Sequence, residues 1–201
     1  MTPTVRTPLS AATLVLLVAC KGGAVNSDAE AEAATLGLEG AIERALALGF
    51  AGFAAASSAN IPEQSDAGDV AGTMVVTGQV DQGNSDNKGM RLNVALTDYA
   101  DLETFDTDEL DAIQIAYDTD PAALPSFDLS LRDIPDGTLT GSIAGDFLLS
   151  GDLDGVVTLA LTLDGVIVPD GTGTQREEGT TAVTGTATNS GGGTYTVDLT
   201  L

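Results

Sequence analysis

Cys20 is the single cysteine of this 201-residue chain, and its thiolate form is the strongest nucleophile the sequence offers. With no second cysteine, an intramolecular disulfide and a CxxC redox or metal pair are both excluded. The chain has no histidine, which removes histidine-dependent triads, imidazole general bases and imidazole metal sites. What remains for acid–base or metal chemistry is oxygen. There are 30 Asp and Glu side chains against 7 Lys and Arg, a net charge of -23 and a pI near 4.1. So acidic a surface repels nucleic acid and anionic lipid headgroups, and no nucleic-acid partner is expected.

The carboxylates group in two places. The segment from Asp98 to Asp120 is rich in Asp and Glu and has no basic residue, the pattern of a solvated, self-repelling loop. The loop from Asp81 to Gly89 gathers Asp81, Asn84 and Asp86. These are the candidate Ca²⁺ ligands, because calcium takes six to eight oxygens, although the EF-hand register is not met. Asp152-Leu153-Asp154-Gly155 is a fragment of that register and reads more simply as a hairpin turn. No cofactor is expected.

Catalysis has little to stand on. Serine has no histidine partner, and only Lys21 and Lys88 offer an amine for a Ser-Lys dyad. No G-x-S-x-G, P-loop or strand-borne G-x-G-x-x-G is present. A hydrolase built on paired carboxylates is the least favoured reading.

The setting of Cys20 says more. Arg6 gives the N-terminus a positive charge, and Leu9 to Ala19 is an apolar stretch too short for a bilayer span, which needs about 20 residues. Together they read as an export signal over residues 1–19. The stretch closes on Leu17-Val18-Ala19-Cys20, which resembles the lipobox of bacterial lipoproteins. That resemblance implies a diacylglyceryl thioether on Cys20, cleavage between Ala19 and Cys20, and acylation of the new amino group. Two or three acyl chains anchor stably where one holds only marginally. Lys21 follows, where an aspartate would retain an enterobacterial lipoprotein in the inner membrane, so the resemblance implies an exported protein sorted to the outer membrane. It covers about a tenth of the chain and says nothing of what the mature domain binds.

The mature chain has to fold behind that anchor. Residues 20–27 read as a lipidated tether, and residues 28–201 as one domain. Ser27 and Glu30 form a capping box. Leu38, Ile42, Ala45, Leu46, Gly49 and Phe53 then trace one helical face, which predicts a helix over about 28–57. Gly37, Gly40, Gly49 and Gly52 weaken it. Its uncharged part, Ala45 to Ala56, is too short to cross a membrane.

From residue 70 the apolar period becomes two. Eight runs follow, around Val70–Val80, Met90–Leu96, Ile113–Tyr117, Phe127–Leu131, Leu139–Leu149, Val157–Leu163, Val183–Ala187 and Tyr195–Leu201. Turn signals sit at Pro135-Asp136-Gly137, Gly151–Gly155, Asp164-Gly165 and Asn189–Gly193. The pattern predicts an α+β fold, mainly β: one N-terminal helix on a curved antiparallel meander sheet or partial barrel of about eight strands. Gly78, Gly141, Gly145 and Gly185 fall on the apolar face, which predicts bending or a close approach, the helix being the favoured neighbour.

The resulting expectation is a lipid-anchored cell-envelope protein with a structural or binding role toward another envelope component. The alternative is a carrier holding an apolar ligand between sheet and helix. The surplus of aspartate over lysine also suits salty surroundings, and would then report habitat rather than partner.

Overall fold

The computed structural model describes residues 23–104, 106, 111–171, 173–190 and 193–201. Ala19 and Cys20 lie outside them. The chain is α+β and mainly β. One helix, α1 (Asp28–Ala55), follows a two-residue strand, β1 (Gly23–Ala24). Ten longer strands come after it: β2 (Asn60–Ala67), β3 (Ala71–Val80), β4 (Lys88–Ala100), β5 (Ile115–Asp118), β6 (Ser126–Arg132), β7 (Gly137–Gly151), β8 (Leu153–Asp170), β9 (Gly173–Arg176), β10 (Ala182–Asn189) and β11 (Thr194–Thr200).

The ten strands fill eight positions of an antiparallel meander. β5 and β6 both lie between β4 and β7, with β5 opposite Tyr99 and β6 opposite Lys88–Asn93. They are one return strand interrupted at residues 119–125. β9 and β10 likewise share the place beside β8, at Ile167–Asp170 and Val157–Asp164. The path ends at β2 on one side and β11 on the other, which do not pair. The sheet therefore curls into a partial ring and not a closed barrel.

One apolar row runs across the whole sheet. Ile61, Gly78, Leu92, Phe127, Ile143, Leu161, Gly185 and Val197 are successive cross-strand partners. The large members are buried, and period-two alternation puts them all on the inner face. Gly185 adopts φ +152, which a side chain resists. A β-carbon there would strike the backbone of Ala160 and Leu161. The inner-face glycines thus meet neighbouring strands, with Gly78 against Arg91 and Leu92, Gly141 against Asp128 and Leu129, and Gly145 against Pro125. They let the sheet bend; the helix is not what approaches them.

α1 lies in the hollow this bending creates. Ser27 Oγ accepts from Glu30 N (3.2 Å), and Glu30 Oε2 accepts from Ser27 N (2.9 Å), completing the capping box. Leu38, Ile42, Leu46 and Phe50 are buried, each contributing about 1.5–3 kcal/mol of transfer free energy. Two helix glycines mark where the sheet comes closest: a β-carbon at Gly49 would collide with Leu92, and one at Gly52 with Ile61. No described helix is long and apolar enough to cross a membrane.

Three segments differ from the sequence expectation. β2 falls in a stretch whose proline and polar residues disguise it; Pro62 and a bulge between Ile61 and Gln64 are features an edge strand accommodates. Asp164-Gly165 is not a turn: β8 runs straight through it, and Gly165 leaves room for Thr181 alongside. The segment read as a tether is docked from Gly23 onward. Gly23 and Ala24 pair in parallel with Leu153 and Asp154, Val25 is buried, and Asn189 Nδ2 donates to the Val25 carbonyl.

Candidate functional site

The two flanks of α1 are built differently. Toward β2, β3 and β4 the helix is closed down. Besides the Gly49 and Gly52 contacts, Arg44 reaches Asp66 (2.8 Å), Asp69 (2.8 Å) and Asp101 (3.4 Å). Tyr99 Oη donates to Asp101 Oδ2 at 2.7 Å. The bond to Asp66 leads in raising the Arg44 pKa, and the same bond lowers that of Asp66. Asp101 belongs to the run expected to be a solvated loop, yet its side chain is only 9% exposed. It joins helix and sheet instead.

Toward β9 and β11 the helix stays open. β11 pairs with β10 only, and β9 with β8 only, so both are edges on this side. Between them and α1 runs a seam with two grooves. One, of about 450 Å³, lies between Ala31, Glu32, Thr35 and Leu36 and residues Thr194–Leu199 of β11. The other, of about 380 Å³, lies between Glu43, Ala47, Phe50, Ala51 and Ala54 and the β8–β9 hairpin, with Asp170 and Gly173–Arg176. Both volumes are in the range of small-ligand sites. The helix residues on the seam recur at spacings of three and four, so they form one stripe of α1.

Arg176 sets the chemistry of the second groove. Thr174 pins β9 by donating to the Pro135 carbonyl (2.9 Å) and the Val168 carbonyl (3.2 Å). Arg176, two residues on, points to the same side, toward α1. Its side chain is 8% exposed, and Nη2 donates to Glu43 Oε1 at 2.5 Å. Nη1 is buried with no hydrogen-bond partner among the described residues. A buried guanidinium with a free donor is costly, and an incoming acceptor would relieve that cost.

Of the expected metal candidates, Asp81 is engaged within its own hairpin. Asp81, Asn84 and Asp86 lie on the exposed loop between β3 and β4. Asp81 accepts from Gly89 N (2.9 Å) and from Arg91 Nη2 (3.0 Å). The Gly89 bond first, then Arg91, holds its carboxyl below the ordinary carboxylate range. Its oxygens thus serve the β3–β4 hairpin. Among the described residues no group of three or more acidic side chains could hold a metal ion. Asp152 accepts from Gln114 N (2.9 Å) and ties the loop after β4 to the β7–β8 turn.

Acidic side chains occur at both ends of the molecule, with Asp81 beside Arg91 and Asp170 beside Arg176 at one of them. The end where Gly23 enters, beside the start of β8, also holds Asp69, Asp98, Asp101, Glu103, Asp152 and Asp154 around the loop after β4. Lys88, Arg91, Arg132 and Arg176 lie toward the other end, where α1 finishes. The second groove is at this far end.

No family model, no curated protein and no solved structure matches the chain. Sequence patterning did not single out Arg176 or Glu43, which are 133 positions apart. The signal available was scarcity: Arg176 is the only basic residue after Arg132.

Proposed function

We propose that the chain is a lipid-anchored protein of the bacterial cell envelope, held at the outer membrane through Cys20. Its role is structural or binding, exercised at the open seam of α1. The observation that carries this reading is the lipobox, Leu17-Val18-Ala19-Cys20, built around the only cysteine of the chain. The docking of Gly23 and Ala24 on β8 supports it. Three residue steps separate Cys20 from the folded body, a reach of about 10 Å when extended. Lipids on Cys20 would hold the end where Gly23 enters next to the headgroups, and the many surface carboxylates would keep the domain from lying flat on anionic lipid.

A binding role is favoured over catalysis because the buried functional group of the seam is a guanidinium, not a nucleophile or a general base. The carrier reading moves from the hollow to the seam, because helix side chains and backbone occupy the space between α1 and the sheet. The test is metabolic labelling with a palmitate analogue in a bacterial host. The full chain should take up label and sediment with membranes. Cys20→Ala should do neither, and a labelled Cys20→Ala chain would remove the anchor from the account.

A further inference from the structure

Arg176 combines burial, an unused donor and a place on the wall of an open groove. Its partner among the described residues, Glu43, has a side chain 46% exposed and can swing into water when something else takes the guanidinium. Opposite it the helix presents Ala47, Phe50, Ala51 and Ala54, part of the uncharged run Ala45 to Ala56. Ala47, Ala51 and Ala54 are exposed, and Phe50 is buried beneath them. An apolar strip thus leads away from the buried Arg176 guanidinium.

We propose that the groove between α1 and β9 binds a small amphiphilic carboxylate, its headgroup on the Arg176 guanidinium and its apolar tail along Ala47, Phe50, Ala51 and Ala54. The planar fork of arginine matches a carboxylate in two parallel hydrogen bonds. Glu43 and Asp170 border the same groove, so a monoanion is tolerated where a phosphate dianion is repelled. Binding exchanges one carboxylate on Arg176 for another. Nη1 is covered and unbonded while Glu43 holds Nη2, so the carboxylate reaches it only as Glu43 swings out and the guanidinium turns toward the groove, and the tail removes apolar surface from water. The volume of about 380 Å³ sits near the lower end of ligand sites, which limits the tail to medium length.

The test is calorimetric titration of the full chain carrying Cys20→Ser with decanoate, decanol and decyltrimethylammonium, all below their aggregation concentrations. Decanoate should bind saturably at one site, with the other two about tenfold weaker or more. Arg176→Met should weaken decanoate by about tenfold or more, and Glu43→Gln should tighten it by freeing the guanidinium. Ala51→Trp should block the groove while leaving the thermal transition in place, so the proposal stays open to refutation even where Arg176→Met fails to fold. Absence of saturable uptake, decanol binding as tightly as decanoate, or unchanged affinity in Ala51→Trp would each overturn it. Because this chain cannot be lipidated at Cys20, the outcome is independent of the anchor. A failed palmitate label leaves the groove standing, and a failed titration leaves the anchor standing.

Discussion

Gly49 of α1 lies against Leu92 of β4 so closely that a β-carbon on the helix residue would overlap Leu92 Cδ1. Leu92 is buried in the cross-sheet row between Gly78 and Phe127, and its Cδ1 would have to turn away to admit the β-carbon. Helix propensity alone favours Gly49→Ala by about 1 kcal/mol, whereas overpacking a closed contact costs about 1–3 kcal/mol. The contact should win. Gly49→Ala is expected to lower the urea midpoint, and a raised midpoint would show that α1 is less tightly seated than described.

The Arg44 cluster makes a second prediction. Arg44→Met should destabilise more than loss of an exposed ion pair, because Asp101 would remain nearly buried beside Tyr99 without its cation. Because Asp101 keeps the Asp69 N and Tyr99 Oη donors, the expected cost is about 1–2 kcal/mol, below the range for breaking a fully buried pair. Asp66, held below its ordinary 3.8 mainly by the Arg44 bond, contributes stability that is present above that value. It is lost as pH falls through the lower, folded value. The acid limb of a stability–pH curve should therefore be shallower in Arg44→Met than in the parent chain. Superimposable limbs would count against the cluster.

Tyr117 predicts the alkaline behaviour. Its hydroxyl donates to the Ala34 carbonyl at 3.0 Å, and burial pushes its pKa well above the ordinary 10.0. A group whose folded pKa is raised contributes stability that is full below the unfolded value and is lost as pH rises beyond it. Stability should thus decline above pH 10. Tyr117→Phe should cost about 1 kcal/mol at neutral pH through the lost hydrogen bond and flatten the alkaline decline. Equilibrium unfolding at several pH values measures both effects together.

Much of the architecture was legible because a half-covered strand writes its burial in alternate residues. Each of the eight apolar runs from residue 70 onward overlaps a strand, and Ser27 and Glu30 announced the start of α1. What escaped was short or deliberately polar. β2 carries Pro62, Glu63 and Asp66, the features of a protected edge, and β9 is too short for a period to show. Asp164-Gly165 has turn composition, yet both residues are held extended by pairing with Thr140 and Leu139 of β7, with Thr181 packed against Gly165, which no local pattern encodes. The site was less legible for the same reason. Arg176 meets Glu43 only because the sheet curls α1 into its hollow, and that curvature comes from glycines whose neighbours are long-range.

Lipidation at Cys20 leaves a defined N-terminus, which mass spectrometry of the N-terminal peptide from a membrane fraction reads. The predicted peptide begins at Cys20 and carries a diacylglyceryl thioether together with an acylated amino group. A mature chain that begins elsewhere, or one that begins at Cys20 with a free thiol, would contradict it.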